Sequence, residues 1–354
     1  MVKSYSTWIK RKKIVTIDCP DEEYWEFLDK NTLWLKECPP SSDHSYDLKM
    51  RLRRQPVLDS SFIENISHGY DRLGYNLFVK DSSVICLVGR WLLWKYEVCE
   101  DKKIHVDIYC VHQKDNCLKS IARRMLGRVP AHETNRERML YFTRIGIHFP
   151  LFFMLKTKEN IGVMHAAAVA KGGKSVVLAG YDGVGKSTLA LYLCLKCGFQ
   201  YVADNFLLYD DTYVYPFAEG ARMNDDSLRA LDFKCAGKRI HGRMEVIPPS
   251  FVEDIPLSLS AVYFNSISHT DVIEEMSKEQ MKKNIMSMEN YLPEFIDYKY
   301  FLSAVNLANN FDYKGYTNPL DSFLSRGRLF SLKKARITDM AFTARKIDEC
   351  IVQD

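Results

Sequence analysis

The run Ser175-Val176-Val177-Leu178-Ala179 leads directly into Gly180-Tyr181-Asp182-Gly183-Val184-Gly185-Lys186-Ser187, and Thr188-Leu189-Ala190-Leu191-Tyr192-Leu193 follows. A short apolar run of this kind reads as a buried strand, the residues after it as a buried helix, and G-x-x-x-x-G-K-S between them as a phosphate-binding loop. Glycines let the backbone curl until several N–H groups face phosphate oxygens, and the helix adds the positive end of its dipole. Gly180, Asp182, Gly183, Val184, Gly185 and Thr188 are then expected to line the bound phosphates. Lys186 would reach the outer phosphates and Ser187 would ligate the metal, so ATP and Mg2+ are the expected cofactors.

The 354 residues suit one large or two medium domains. The start, Met1-Val2-Lys3-Ser4-Tyr5, has no apolar leader-like run, and residues 149–155, interrupted by Pro150, are too few to cross a bilayer. A cytoplasmic chain with no membrane partner is expected. Ten cysteines scattered along the chain fit reduced structural thiols. The formal charge of +4 is too small to imply a polyanion partner. The local clusters Lys10-Arg11-Lys12-Lys13, Arg51-Leu52-Arg53-Arg54 and Arg123-Arg124 read as solvated faces. Their convergence would instead suit a nucleic acid or an acidic peptide.

Residues 1–129 look strand-rich, with strands expected at 13–17, 75–79, 84–88 and 104–111 and a hairpin loop at Asp81-Ser82-Ser83. Trp91, Trp94 and Tyr96 read as packing residues. A domain boundary is placed at residue 130, after which Thr134-Asn135-Arg136-Glu137 is a capping box for a helix carrying Met139, Phe142 and Phe149 on one face. Residues 162–170 read as one strand and Lys171-Gly172-Gly173-Lys174 as a tight turn into the loop strand. Gly198 is placed to end the loop helix, and Tyr201-Val202-Ala203-Asp204 reads as a strand with a carboxylate at its end. Asp204 is therefore expected to hold magnesium through water or to accept the proton of an attacking hydroxyl. Further on, residues 255–264 read as a strand, 271–291 as a charged helix, and Met340, Ala344, Ile347 and Ile351 as the stripe of a terminal amphipathic helix. Lys238, Arg239 and Arg243 read as solvated loop residues, one of which could face a transferred phosphoryl group.

His165, the loop 180–187 and Val202-Ala203-Asp204 together resemble HPr kinase/phosphorylase and the wider HPr-kinase-like proteins. In that family a histidine at a strand end precedes the loop, and a Val-Ala-Asp-Asp-like strand end follows the loop helix. His165, Lys186 and Asp204 fall in that order at matching intervals, over residues 135–265, with a weaker match at Gly327-Arg328-Leu329. The resemblance implies an α/β fold: a PEP-carboxykinase-like P-loop domain over residues 131–354 behind an N-terminal β-rich α+β domain over residues 1–130. It implies a kinase that moves the γ-phosphoryl group of ATP to a hydroxyl, of Ser or Thr in a protein or peptide, or of a small molecule such as free serine. His165 would line the site, and Glu219 would join Ser187 as a magnesium ligand; by itself Glu219 reads as a surface loop residue. The family often assembles, so a homo-oligomer is an expected partner.

Two departures bear on mechanism. Asn205 stands where the family has a second aspartate, and an amide is no general base. Asp182 stands where the family usually has serine, bringing an extra negative charge to the loop. These departures keep open a nucleotide-binding module without catalysis, and the basic front segment keeps open a nucleic-acid kinase or ATPase.

Overall fold

A computed structural model describes residues 2–7, 9, 15–18, 22–38, 47–55, 57–89, 91–99, 103–111, 131–234, 239–240, 242–253, 255–309, 318–334 and 340–352. The protein is a mixed α/β chain in two compact units, one of residues 1–29, 35–154 and 298–314, the other of residues 30–34, 155–297 and 315–354. Residues 131–154 thus group with the first unit, whereas the sequence reading drew its boundary at 130. The clusters at 10–13 and 123–124 and Lys238 lie outside the described residues.

Among the described residues, the first unit holds β1 (Val2–Ser6), β2 (Val15–Asp18), β3 (Lys36–Cys38), β4 (Leu48–Gln55), β5 (Asp71–Arg72), β6 (Leu77–Lys80), β7 (Ser83–Val88), β8 (Leu92–Val98) and β9 (Ile104–Val111). They form one sheet in the order β3-β1-β2-β4-β9-β8-β7-β6-β5. β4 and β9 alternate as half-buried strands do: Leu48, Met50 and Leu52 on β4 and Ile104, Val106 and Ile108 on β9 point into the core. The arginines between them face neighbours on the other side. Arg51 pairs with Asp107 at 3.6 Å, and Arg53 lies over the Tyr109 ring. Two arginines of the described cluster thus have partners on the opposite strand, and Arg54 lies 3.9 Å from Glu23. The hairpin turn of β6 and β7 is tighter than expected, since Ser83 already belongs to β7 and only Asp81 and Ser82 turn. Trp94 and Tyr96 are buried, as expected, against Phe301.

The capping box does not start its helix. The helix Ala131–Thr143 is already under way at residue 131, so Thr134 lies inside it. A π-helical turn, Arg144–His148, follows, and then the helix Phe149–Glu159. Pro150 lacks an N–H, and the wider turn sits where the regular ladder would need that donor. Met139, Phe142 and Phe149 are all buried.

The second unit holds β10 (Gly162–Met164), β11 (Ala166–Lys171), β12 (Lys174–Gly180), β13 (Gln200–Ala203), β14 (Leu207–Tyr209), β15 (Tyr213–Tyr215), β16 (Ala221–Met223), β17 (Arg239–Ile240), β18 (Arg243–Val246), β19 (Leu257–Ile267), β20 (Val272–Glu275) and β21 (Arg328–Lys334). The main sheet runs β10-β14-β15-β19-β12-β11-β13, with β21 beside β19 and β20 beside β21; β16, β18 and β17 make a small separate sheet. The segment read as one strand at 162–170 is two, because the chain breaks at His165 and β10 pairs with β14 while β11 pairs with β12. The β11–β12 turn is the tight one expected, with Gly172 and Gly173 both at positive φ.

The helix Lys186–Cys197 lays Leu189, Ala190 and Leu193 against Val169, Val176 and Leu178, and Ile347 and Ile351 of the terminal helix Met340–Val352 join the same core. Each such leucine or isoleucine contributes about 1.5–3 kcal/mol by leaving water. Gly198 ends the loop helix with φ 72°. Residues 271–291 are not one helix: Val272–Glu275 pairs with β21, and the helix proper is Lys278–Tyr291, burying Met281, Ile285 and Met288.

Candidate functional site

Strand direction gathers the candidate residues at one edge of the second unit's main sheet. β12 is parallel to β19, β19 is parallel to β21, and β11 is antiparallel to both β12 and β13. The carboxyl ends of β12, β13, β19 and β21 and the amino end of β11 therefore share an edge, which carries the loop 180–187, Asp204, Asn265, Lys334 and His165. Ligands of open α/β sheets bind at such an edge.

The loop requires its glycines. Gly180 has φ 135°, and a Cβ there would stand 2.5 Å from the Asn265 carbonyl oxygen. Gly185 has φ 83°, a left-handed conformation that L side chains rarely adopt. Lys186 starts the helix, and its ammonium turns back to donate to the carbonyls of Gly180 at 2.7 Å and Tyr181 at 3.0 Å. The buried lysine thus ties the loop's first two carbonyls together across its base.

Ser187 donates from Oγ to Asp204 Oδ1 at 2.9 Å, and the Asn205 N–H donates to the same oxygen at 3.1 Å. Asp204 is 2 % exposed. Asn205 takes φ 67°, which asparagine tolerates better than most residues, and its Nδ2 makes a long 3.5 Å contact with Glu219 Oε2. Glu219 is not on the surface: at 4 % exposure it is held in by the backbone bridge to Thr32 and the neighbouring Leu33 N–H to Ala218 carbonyl bond.

Asp182, without an assigned role in the sequence, faces His165, with Nε2 3.4 Å from Oδ1. The His165 hydrogen bond holds the Asp182 carboxyl down at about 2 against the opposing effect of burial, and the charges of His165, Lys186 and Arg243 act in the same direction. His165 is buried beside the Phe295 ring, and its Nδ1 has no hydrogen-bond partner among the described residues.

These groups open onto one cavity of about 100 Å3, lined among others by Asp182, Lys186, Ser187, Asp204, Arg222 and Arg243. That is several times the ~10–15 Å3 a single water occupies on the same measure. Arg222 carried no signal in the sequence; the pairing of β16 with β18 brings it near Arg243. Arg239 is spent elsewhere, on Asp225 and the Gly242 carbonyl. Lys334 was likewise not singled out, and it ends β21 beside Gly185.

Hard oxygen donors such as Ser187 and Asp204 suit Mg2+, which takes one or two carboxylates and completes its shell with phosphates and water. Among the described residues no group of three or more His, Cys, Asp or Glu side chains is placed to hold a metal by itself. Cys194 and Cys197 form a C-x-x-C spacing on the loop helix, contrary to the expectation of scattered cysteines with no such pair; both are free thiols, and burial pushes Cys194 up to about 12. No described helix is long and apolar enough to cross a membrane. No family model matches this chain, and no curated protein matches it either.

Proposed function

We propose that the second unit is a P-loop phosphotransferase of the HPr-kinase-like type, which moves the γ-phosphoryl group of ATP to a hydroxyl with Mg2+ as cofactor. One observation carries the reading: the Ser187 hydroxyl rests on the buried Asp204 carboxylate at 2.9 Å, at the mouth of a glycine loop whose lysine is already in place. A serine after the loop lysine, with a strand-end aspartate against it, is the pair that positions magnesium on a triphosphate. When bound, magnesium neutralises charge on the outer phosphates and on the leaving diphosphate.

The residues divide the work. Loop N–H groups and Lys186 hold the phosphate chain, Ser187 and Asp204 orient the metal, and Glu219 supports Asn205 from behind. His165 and Asp182 face the cavity from the β11 side, where His165 positions the transferred group. The acceptor oxygen bonds to the γ-phosphorus as the bond to the β,γ-bridging oxygen breaks, ADP leaves, and the hydroxyl proton passes to Asp204 or to water. A loose transition state needs little base assistance, so Asn205 in place of a second carboxylate does not prevent transfer. The acceptor is Ser or Thr of a protein or peptide ahead of a small hydroxyl compound, and Arg222 and Arg243 in the cavity lining would suit acceptors that carry negative charge.

Asn205 also supports the second reading, a nucleotide-binding module without turnover. Incubation with γ-labelled ATP and magnesium in a lysate, fractionated into protein, RNA and small molecules, separates the two. Label in one fraction with the wild type and not with Lys186→Ala identifies a kinase and its acceptor class. ATP binding with no label above that control makes the silent module the account.

A further inference from the structure

Lys334 is the last residue of β21, and its ammonium ends against the loop. A Cβ on Gly185 would lie 3.3 Å from its Nζ, so the missing side chain at 185 is what admits it. Lys334 is 8 % exposed, and its ammonium makes no hydrogen bond or ion pair with a described residue. Buried lysines are normally paired, because removing an ammonium from water is costly unless an anion compensates. Among the described residues the charged groups that act on it are Lys186 on the loop helix, which repels it, and Asp271 ahead of β20, which attracts it more weakly. Burial and the Lys186 charge push Lys334 down to about 8. The same spot is the start of the helix Lys186–Cys197, whose N-terminus itself favours an anion. Lys334 and a helix N-terminus therefore meet at Gly185, with the Lys186 charge acting on Lys334 and no ion pair to it among the described residues.

We propose that Lys334 is a second phosphate-binding lysine, which contacts the phosphate chain of the nucleotide from the β21 side of the loop while Lys186 holds it from within. The proposal rests on the nucleotide-binding reading given above and adds a residue that the loop pattern does not contain. It also explains why β21 ends in lysine: the charge is tolerated in the free chain and used in the complex.

The test is titration of ATP with magnesium into wild type, Lys334→Met and Lys334→Arg by calorimetry at pH 7 and pH 9.5, with thermal melts of the free proteins alongside. A hydrogen bond to a charged group is worth about 1.5–3 kcal/mol. Lys334→Met is accordingly expected to raise the Kd for ATP about 10- to 100-fold at pH 7, yet to raise the melting temperature of the free chain by removing an unpaired buried charge. A purely structural lysine would lower both. Wild-type affinity is expected to fall between pH 7 and 9.5, because the free lysine loses its proton there and the anion prefers the charged form, while Lys334→Arg stays flat. If the methionine variant fails to fold, the arginine profile decides, and one identical to wild type overturns the proposal. Unchanged affinity in a folded Lys334→Met also overturns it. A wild type that binds no ATP at all overturns the nucleotide reading, and the proposal with it.

Discussion

Asp182 and His165 show how a carboxylate in the glycine loop 180–187 can be accommodated. The histidine takes up the carboxylate at 3.4 Å and holds it down at about 2, below the ~3.9 of a free aspartate. A lowered folded-state value stabilises the protein where the carboxylate is ionised in both states, so the contribution is complete above about pH 5 and fades as pH falls from ~4 toward ~2. Asp182 is 56 % exposed, so solvent screening limits this to under about 1 kcal/mol. His165→Ala is expected to return the Asp182 titration, followed by carboxyl NMR, to the ordinary range and to remove that part of the acid sensitivity. An Asp182 still titrating near 2 would show that another group holds it. Lys186→Ala should lose transfer by about 10²–10³-fold or more, since it removes both the phosphate cation and the tie across the loop base. Full activity in that variant would contradict its role.

At the scale of elements, the loop works because a strand, a turn and a helix are each locally consistent, and those were also the parts legible in sequence. The continuous apolar run, the glycines and Gly198 marked β12, the loop and the helix end to within a residue. Asp204 could be placed at the site edge because the strand before it was legible too. What pairs at a distance was not. Val272–Glu275 looked like the start of a charged helix, and only its partner β21, some sixty residues later, makes it a strand. Arg222 reaches the cavity and Lys334 the loop through strand pairings that leave no mark in local spacing, Arg243 was one of three candidates that spacing could not separate, and Glu219 is buried by a bridge to Thr32, far away in the chain. Two predictions belong here. Gly180→Ala forces a side chain at φ 135° and 2.5 Å from a backbone oxygen, which backbone movement alone can relieve, so nucleotide affinity should fall at least tenfold; unchanged affinity would mean the loop is not held as described. Ile285→Ala, in the core under the helix Lys278–Tyr291, should cost about 2–5 kcal/mol in chemical denaturation, and a loss under 1 kcal/mol would place that side chain outside a packed core.

At the scale of the whole molecule, the two compact units are each assembled from separated stretches of chain, which no local signal announces. Residues 30–34 leave the first stretch to bridge Glu219 in the second unit, and residues 298–314 return to pack Phe301 and Tyr298 on the first unit's aromatic core. Of the nine described strands in the first 111 residues, the expected segments 13–17, 75–79, 84–88 and 104–111 matched β2, β6, β7 and β9; the other strands, the helices Glu22–Asn31 and Ser60–Ile66 and the chain's later return were not legible. The central claim concerns the second unit by itself: that Lys186, Ser187 and Asp204 form a magnesium–triphosphate site. The most direct measurement is ATP affinity with and without Mg2+, for wild type and for Asp204→Asn. Magnesium is expected to tighten ATP binding about tenfold or more in the wild type, and Asp204→Asn is expected to abolish that gain while still binding ATP through the loop. ATP binding that ignores magnesium in the wild type, or a gain that survives in Asp204→Asn, would contradict the account.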